Sequence, residues 1–213
     1  CSAGSARSST LERSAAAPAA PAPEASTGWS TTTGATVGEG NSAILAEVGF
    51  PGLSGTFLHG VNENLDLGAR FTFNYGIEGM FSIVPGLKLQ GVMRLNLIKQ
   101  DLISLGLEFA PGPLLYFAGS VAFGLALPVG LTLGIHVHPS VNVHAAFDLP
   151  LWFAFTPTVS FGLPILFGGG VEYFIQPNLA LTFRLRMGPT INISGFTYAA
   201  YTLNALVGVG FKL

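Results

Sequence analysis

The sequence predicts an all-β chain: an antiparallel, up-and-down transmembrane β-barrel of about 12 strands, with 10 or 14 as alternatives. Three observations lead there. Of 213 residues, 49% are hydrophobic and only 9% charged, with a mean hydropathy of +0.55; a soluble domain carries about 25% charged residues. No uninterrupted apolar run reaches the roughly 18 residues that a membrane helix needs. The apolar residues instead alternate with polar or small ones, punctuated by 28 Gly and 14 Pro, the period-two pattern of a membrane barrel. A soluble β-sandwich with so apolar an exterior would aggregate. A formal net charge of −2 excludes the basic stripe of a nucleic-acid binder.

At the N-terminus stands Cys1, the one cysteine, followed by Ser2, Ala3 and Gly4. This start resembles a mature bacterial lipoprotein. The resemblance implies covalent lipid on Cys1, passage through the lipoprotein-sorting machinery, and an outer-membrane destination suggested by Ser2. Lipid chains would anchor the chain at about 0.8 kcal/mol per buried CH₂. No other cofactor is expected. Residues 1–36, rich in Ser, Ala, Pro and Thr, cannot bury enough apolar surface to offset ordering entropy. They read as a flexible tether, with the barrel spanning 37–213. Trp29 stands out in the tether, either as an interfacial anchor or as a chance exposed aromatic.

The barrel is read strand by strand. Ile44, Ala46 and Val48 share one face, with Glu47 opposite. Pro51-Gly52 turns the chain, and Leu53, Gly55, Phe57, His59 and Val61 take the outer face. After Asn62-Glu63-Asn64 comes the clearest alternation, residues 65–75: Leu65, Leu67, Ala69, Phe71, Phe73 and Tyr75 on one face, Asp66, Gly68, Arg70, Thr72 and Asn74 on the other. From there the apolar parity stays odd, which requires loops of odd length. Val84-Pro85-Gly86, Pro128-Val129-Gly130, His138-Pro139-Ser140, Asp148-Leu149-Pro150 and Gln176-Pro177-Asn178 are three-residue turn candidates. Residues 98–102 and 110–114 are expected as longer loops, and 188–197 as the longest connection. The strands so bounded number an odd total, so the short 77–83 run or a missed strand near 31–37 is the doubtful element.

The last strand ends Val207-Gly208-Val209-Gly210-Phe211-Lys212-Leu213. It resembles the terminal strand of bacterial outer-membrane barrels, departing from that pattern in ending on Leu213. The resemblance implies bacterial outer-membrane location, surrounding outer-membrane lipid, and the barrel-insertion machinery as a partner during biogenesis.

The inward parity collects the charges: Asp66, Arg70, Glu78, Lys88, Arg94, Glu108, Asp148, Glu172, Arg184 and Arg186, with Glu47 and Lys212 at the ends. Two readings stand. Opposite charges can pair and cross-link a narrow lumen, since an isolated buried charge is costly. Alternatively, charged rings set the ion preference of a small pore. His136, His138 and His144 share the inward side around one turn and could ligate a metal, respond to pH, or simply line a mouth. Outward glycines (Gly49, Gly55, Gly79, Gly91, Gly119, Gly169) either permit side-by-side packing in a homo-oligomer that organises lipid or relieve strain in a curved sheet. An outer-membrane lipid hydrolase or acyltransferase needs a histidine near an activated serine. His59 has no serine on its own strand's outer face, so no catalytic residue is assigned. The functional expectation is a small porin-like channel or a structural membrane component.

Overall fold

The computed structural model describes residues 28–77, 80–118, 120–194 and 196–213. Cys1, the tether to residue 27 and Glu78 lie outside these residues, as do Gly79 and Gly119. Alternation drives the chain into twelve strand segments: β1 (Ser42–Phe50), β2 (Gly52–Asn62), β3 (Leu65–Ile77), β4 (Met80–Lys99), β5 (Ile103–Phe109), β6 (Gly112–Ala118), β7 (Ser120–His138), β8 (Val141–Ala154), β9 (Ser160–Pro164), β10 (Leu166–Gln176), β11 (Leu179–Ser194) and β12 (Phe196–Lys212). Ten of them close an antiparallel ring, β1-β2-β3-β4-β5-β7-β8-β10-β11-β12. Closure comes from β12 against β1, with Phe211 opposite Ile44 and Val207 opposite Val48. A closed ring leaves no unpaired edge, which is what lets a sheet stand in lipid.

The other two segments lie outside the ring of ten. β6 sits between β4 and β7, the same neighbours that flank β5. β9 likewise sits between β8 and β11, which flank β10. Each pair is therefore one strand line with a break, at residues 110–111 and at Ile165. The breaks coincide with a row of prolines across neighbouring strands. Pro128 faces Pro150, Pro164 faces Thr190, Ala110 N donates to Pro128 O, and Ile165 N donates to Pro189 O. A proline cannot donate to the ladder, so several at one level interrupt it without ending the strands.

This row corrects three expected turns. Val84-Pro85-Gly86, Pro128-Val129-Gly130 and Asp148-Leu149-Pro150 lie inside β4, β7 and β8. The loop expected at 110–114 is only a break in a strand line, the 98–102 loop shrinks to 100–102, and the 77–83 run is absorbed by β3 and β4. The connection expected at 188–197 is instead a hairpin, paired from Leu179 with Phe211 out to Ser194 with Phe196. The turns at 63–64, 139–140 and 177–178 stand where alternation and turn residues put them.

The outward face is apolar. On β3, Phe71 is 47% exposed and Leu67 and Tyr75 are also exposed, whereas their neighbours of opposite parity, Asp66 and Asn74, are buried. The same holds around the ring, from Ile44 through Val121 and Leu133 to Val209. Inward side chains of β1, β3 and β4 are mostly charged, polar or small, with Leu45, Val84 and Val92 buried among them, so the core of this fold is its lumen.

β1 begins and β12 ends at one mouth, called here the terminal mouth, which also carries the turns at 63–64, 100–102, 139–140 and 177–178. Residues 29–37 enter the lumen through it and are buried there, Trp29 to 1% and Val37 to 0% exposure. The free tether expected up to residue 36 therefore does not hold for residues 29–36. The polar composition is right for a segment that cannot build a core of its own, but the barrel supplies hydrogen-bond partners that solvent would otherwise provide.

Candidate functional site

The lumen has two tiers, and the first is the seat of the buried segment. Trp29 anchors it. Its Nε1–H donates to Pro177 O at 2.8 Å and its ring stands edge-on to Phe174, centroids 5.4 Å apart. Val37, Ala43, Leu58, Val92, Ala110 and Ala180 complete the apolar cluster around it. Trp29 is thus not an interfacial anchor but a lumen anchor.

Polar contacts hold the rest. Glu172, fully buried, accepts from Ser30 Oγ at 2.6 Å, from Thr31 N and Thr31 Oγ1 at 3.0 Å, and from Asn142 Nδ2 at 3.3 Å. Ser30 Oγ also accepts from Thr32 N and Thr33 N, curling the segment into a tight local turn of the kind serine favours. Asp66 accepts Val37 N on both carboxylate oxygens at 3.1 Å and stands 3.5 Å from Arg94. Arg94 donates to three segment carbonyls, Ser30 O at 3.1 Å and Thr33 O and Ala35 O at 2.7 Å. Asn96 Nδ2 donates to Gly34 O at 2.9 Å. Gly34 and Gly106 fit backbone to backbone, since a Cβ on either would meet the other's main chain at under 3 Å. The seat therefore draws on β3, β4, β5 and β10, spread around the ring. The segment fills the terminal end of the lumen.

The second tier lies beyond the segment and is a belt of ion pairs. Arg70 Nη1 meets Glu108 Oε1 at 2.8 Å, with Arg70 Nε donating to Thr56 Oγ1 at 3.0 Å. Arg184 Nη2 pairs with Glu47, and Arg186 Nε meets Asp148 Oδ2 at 3.0 Å. Lys88 is buried beside them. Opposite charges taken from water demand close partners, and the alternation supplies them on the inner face, one each from β1, β3, β5 and β8 and two from β11 among the paired residues of this tier. The belt is nonetheless under-bonded. Glu47 Oε1, Asp148 Oδ2, Arg184 Nε and Arg186 Nε are buried without an aligned hydrogen-bond partner among the described residues. A cavity of about 120 Å³ sits against this tier, its wall including Arg70, Lys88, Glu108, Asp148, Arg184 and Arg186.

Of the ten charged residues expected in the lumen, nine are described and all nine line or support one of these tiers. The histidines separate. His136 Nδ1 meets Asn142 Oδ1 at 2.6 Å, and His138 Nδ1 accepts from Ser140 N at the turn. Both border a recess of about 640 Å³ in the terminal mouth. His144 is buried deeper, opposite Gly134 and Gly170. A register shift between His136 and His138 breaks their shared row, and no group of three His, Cys, Asp or Glu side chains among the described residues could hold a metal. The metal reading of these three residues fails on that geometry.

Single-strand parity missed two things. Ser42 and His59 face each other across β1 and β2, with Ser42 Oγ 2.9 Å from His59 Nδ1; the serine absent from the outer face of His59's own strand is supplied by the neighbouring strand. The second is the whole set of segment contacts. Its one sequence signal was a tryptophan inside an otherwise polar stretch.

No protein-family model matches the chain, and no curated protein sequence matches it. Among solved structures, it is similar to the outer membrane protease OmpT of Escherichia coli, at 10% identity and a TM-score of 0.46, covering 81% of this chain and 93% of that one. It is also similar to Ail, the attachment invasion locus protein of Yersinia pestis, at 9% identity and a TM-score of 0.25, covering 81% and 94%. Likeness this distant transfers no activity. The barrel assignment rests on the closed ring and its apolar exterior.

Proposed function

We propose that this chain is an occluded outer-membrane β-barrel, a structural component of the bilayer rather than an open porin. The observation that carries the reading is the buried segment 29–37, tied to Glu172, Asp66 and Arg94 from separate strands. An ion crossing the lumen would have to displace backbone that is hydrogen-bonded to buried charges, and those bonds are individually strong. The ion-pair belt behind it narrows the path further. The apolar exterior and the closed ring support a bacterial outer-membrane setting. A proteolytic or lipolytic role finds no support in the lumen. The Ser42–His59 contact lies at an exposed rim, with no carboxylate described as bonding the imidazole.

Planar-bilayer recording tests this. The intact chain should insert without steady current. The double variant Glu172→Gln, Arg94→Gln should conduct, because the segment then loses its charged seat. Steady ohmic current through the intact chain overturns the reading.

A further inference from the structure

Three spaces among the described residues follow one another along the lumen. The recess of about 640 Å³ in the terminal mouth has Gly28, Ala35, Glu63, Lys99 and His138 on its wall. Behind it is a pocket of about 20 Å³, walled by residues 31–34 of the buried segment and by Glu108, Asp148, Arg184 and Arg186 of the belt. The same four belt residues wall the cavity of about 120 Å³. The segment is therefore the partition: Ala35 borders the recess, and residues 31–34 border the space that leads to the belt.

This partition is held differently from the wall around it. The strands of the ring are fixed by backbone ladders. The segment's main chain instead meets the barrel through the side chains of Glu172, Asp66, Arg94 and Asn96. Between Trp29 and Val37 it carries only Ser, Thr, Gly and Ala, so away from its two ends it buries little apolar surface. Water can replace most of its hydrogen bonds at small net cost. Its departure also leaves the charges of the seat with partners, since Asp66 stands 3.5 Å from Arg94 and Glu172 accepts from Asn142 Nδ2. The link to β1 supplies a pivot. Gly38 and Gly40 have φ of +89° and +71°, values glycine adopts without steric cost. Gly40 N donates to Gly60 O and Gly60 N to Asn41 O, both at 2.9 Å, so β2 pins the far side of that pivot. Swinging segments turn on a few such positions.

We propose that residues 29–37 form a plug that withdraws as a unit through the terminal mouth, pivoting at residues 38–40. Withdrawal admits water and small ions from that side to the ion-pair belt while the ring of ten strands stays intact. Local opening begins where apolar contacts are few and the backbone is outside a ladder, and this segment meets both conditions. The proposal rests on the occluded-lumen reading and makes that occlusion reversible.

Thiol labelling of the full chain in detergent tests it, in a Cys1→Ser background with Thr132→Cys as the probe. Thr132 lines the pocket behind the segment. A charged, water-soluble thiol reagent should react slowly at rest. It should react at least tenfold faster at urea concentrations where circular dichroism and heat-dependent gel mobility still report an intact barrel. A disulfide joining Thr31→Cys to Gly210→Cys should return labelling to the resting rate, and the same variant kept reduced should label like the unlocked chain. The Cβ of Thr31 lies 3.8 Å from where a Cβ would stand at Gly210, the usual spacing across a disulfide. Labelling that quickens only as the barrel unfolds overturns the proposal, and so does an equal rate in the locked and reduced forms. If the double-cysteine variant does not fold, hydrogen exchange in the intact chain decides. The amides of Thr31 and Val37 should then exchange at least tenfold faster than the ladder amides of β3 and β10, and equal protection overturns the proposal. None of these outcomes reads a current. Steady current through the intact chain at rest sinks the occluded-lumen reading itself, whereas these outcomes sink only its reversibility.

Discussion

Glu172 and Arg186 are both charged side chains inside one barrel, yet their surroundings differ. Glu172 has four hydrogen-bond donors aimed at it, three of them from the buried segment. Arg186 has one ion contact and a cavity. The carboxylate of Glu172 is satisfied by the protein's own chain, although Thr32 Oγ1 and Asn96 Oδ1 in the same tier have no partner among the described residues; the second tier borders a cavity. A buried charge with full partners specifies a structure, while one with few partners contributes less to it. The contrast shows that charge count alone does not tell how tightly a lumen is cross-linked. What matters is how many of the polar atoms are already spoken for.

Removing Glu172 should hurt most. Glu172→Ala strands buried donors on Ser30, Thr31 and Asn142, and the expected loss is about 3–5 kcal/mol, read as a fall in the thermal midpoint in detergent. Trp29→Ala comes next. It empties the anchor site against Phe174 and should cost about 3 kcal/mol, with a cysteine placed at Thr33 becoming open to thiol reagents as the segment loosens. An unchanged labelling rate in that background would mean the polar contacts alone hold the segment. In the second tier, Arg186→Gln should cost only about 1–2 kcal/mol, since Asp148 is left beside a cavity that admits water. If it costs as much as Glu172→Ala, the two tiers are not energetically distinct. Ser42→Ala, at the exposed rim, should stay within about 0.5 kcal/mol; a larger fall would give the Ser42–His59 contact a structural role.

Several expectations failed for one shared reason. Pro128 and Pro150 each look like a turn signal when read along the chain, yet they face each other within β7 and β8. Proline only forbids donation; whether that ends a strand depends on whether the neighbour needed the donor there. The same holds for residues 188–197, where Gly188, Pro189 and Asn192 suggested a loop and pairing with β12 made a hairpin. Trp29 was conspicuous in sequence, but its partners Phe174 and Pro177 lie far along the chain.

Period two decides much without any structure. It sets which side chains face outward, so the class of fold, the lipid-facing surface and the inward placement of Asp66, Arg70 and Arg94 all follow from alternation over residues 65–97. That information is local, because adjacent side chains on a strand point to opposite faces. The tertiary structure decided how many strands close the ring, where the prolines align, that residues 29–37 fill one end of the lumen, and that β1 stops at Phe50 while β12 runs on against β11. These depend on which strands become neighbours and at what register. No spacing within one strand encodes the height of the next.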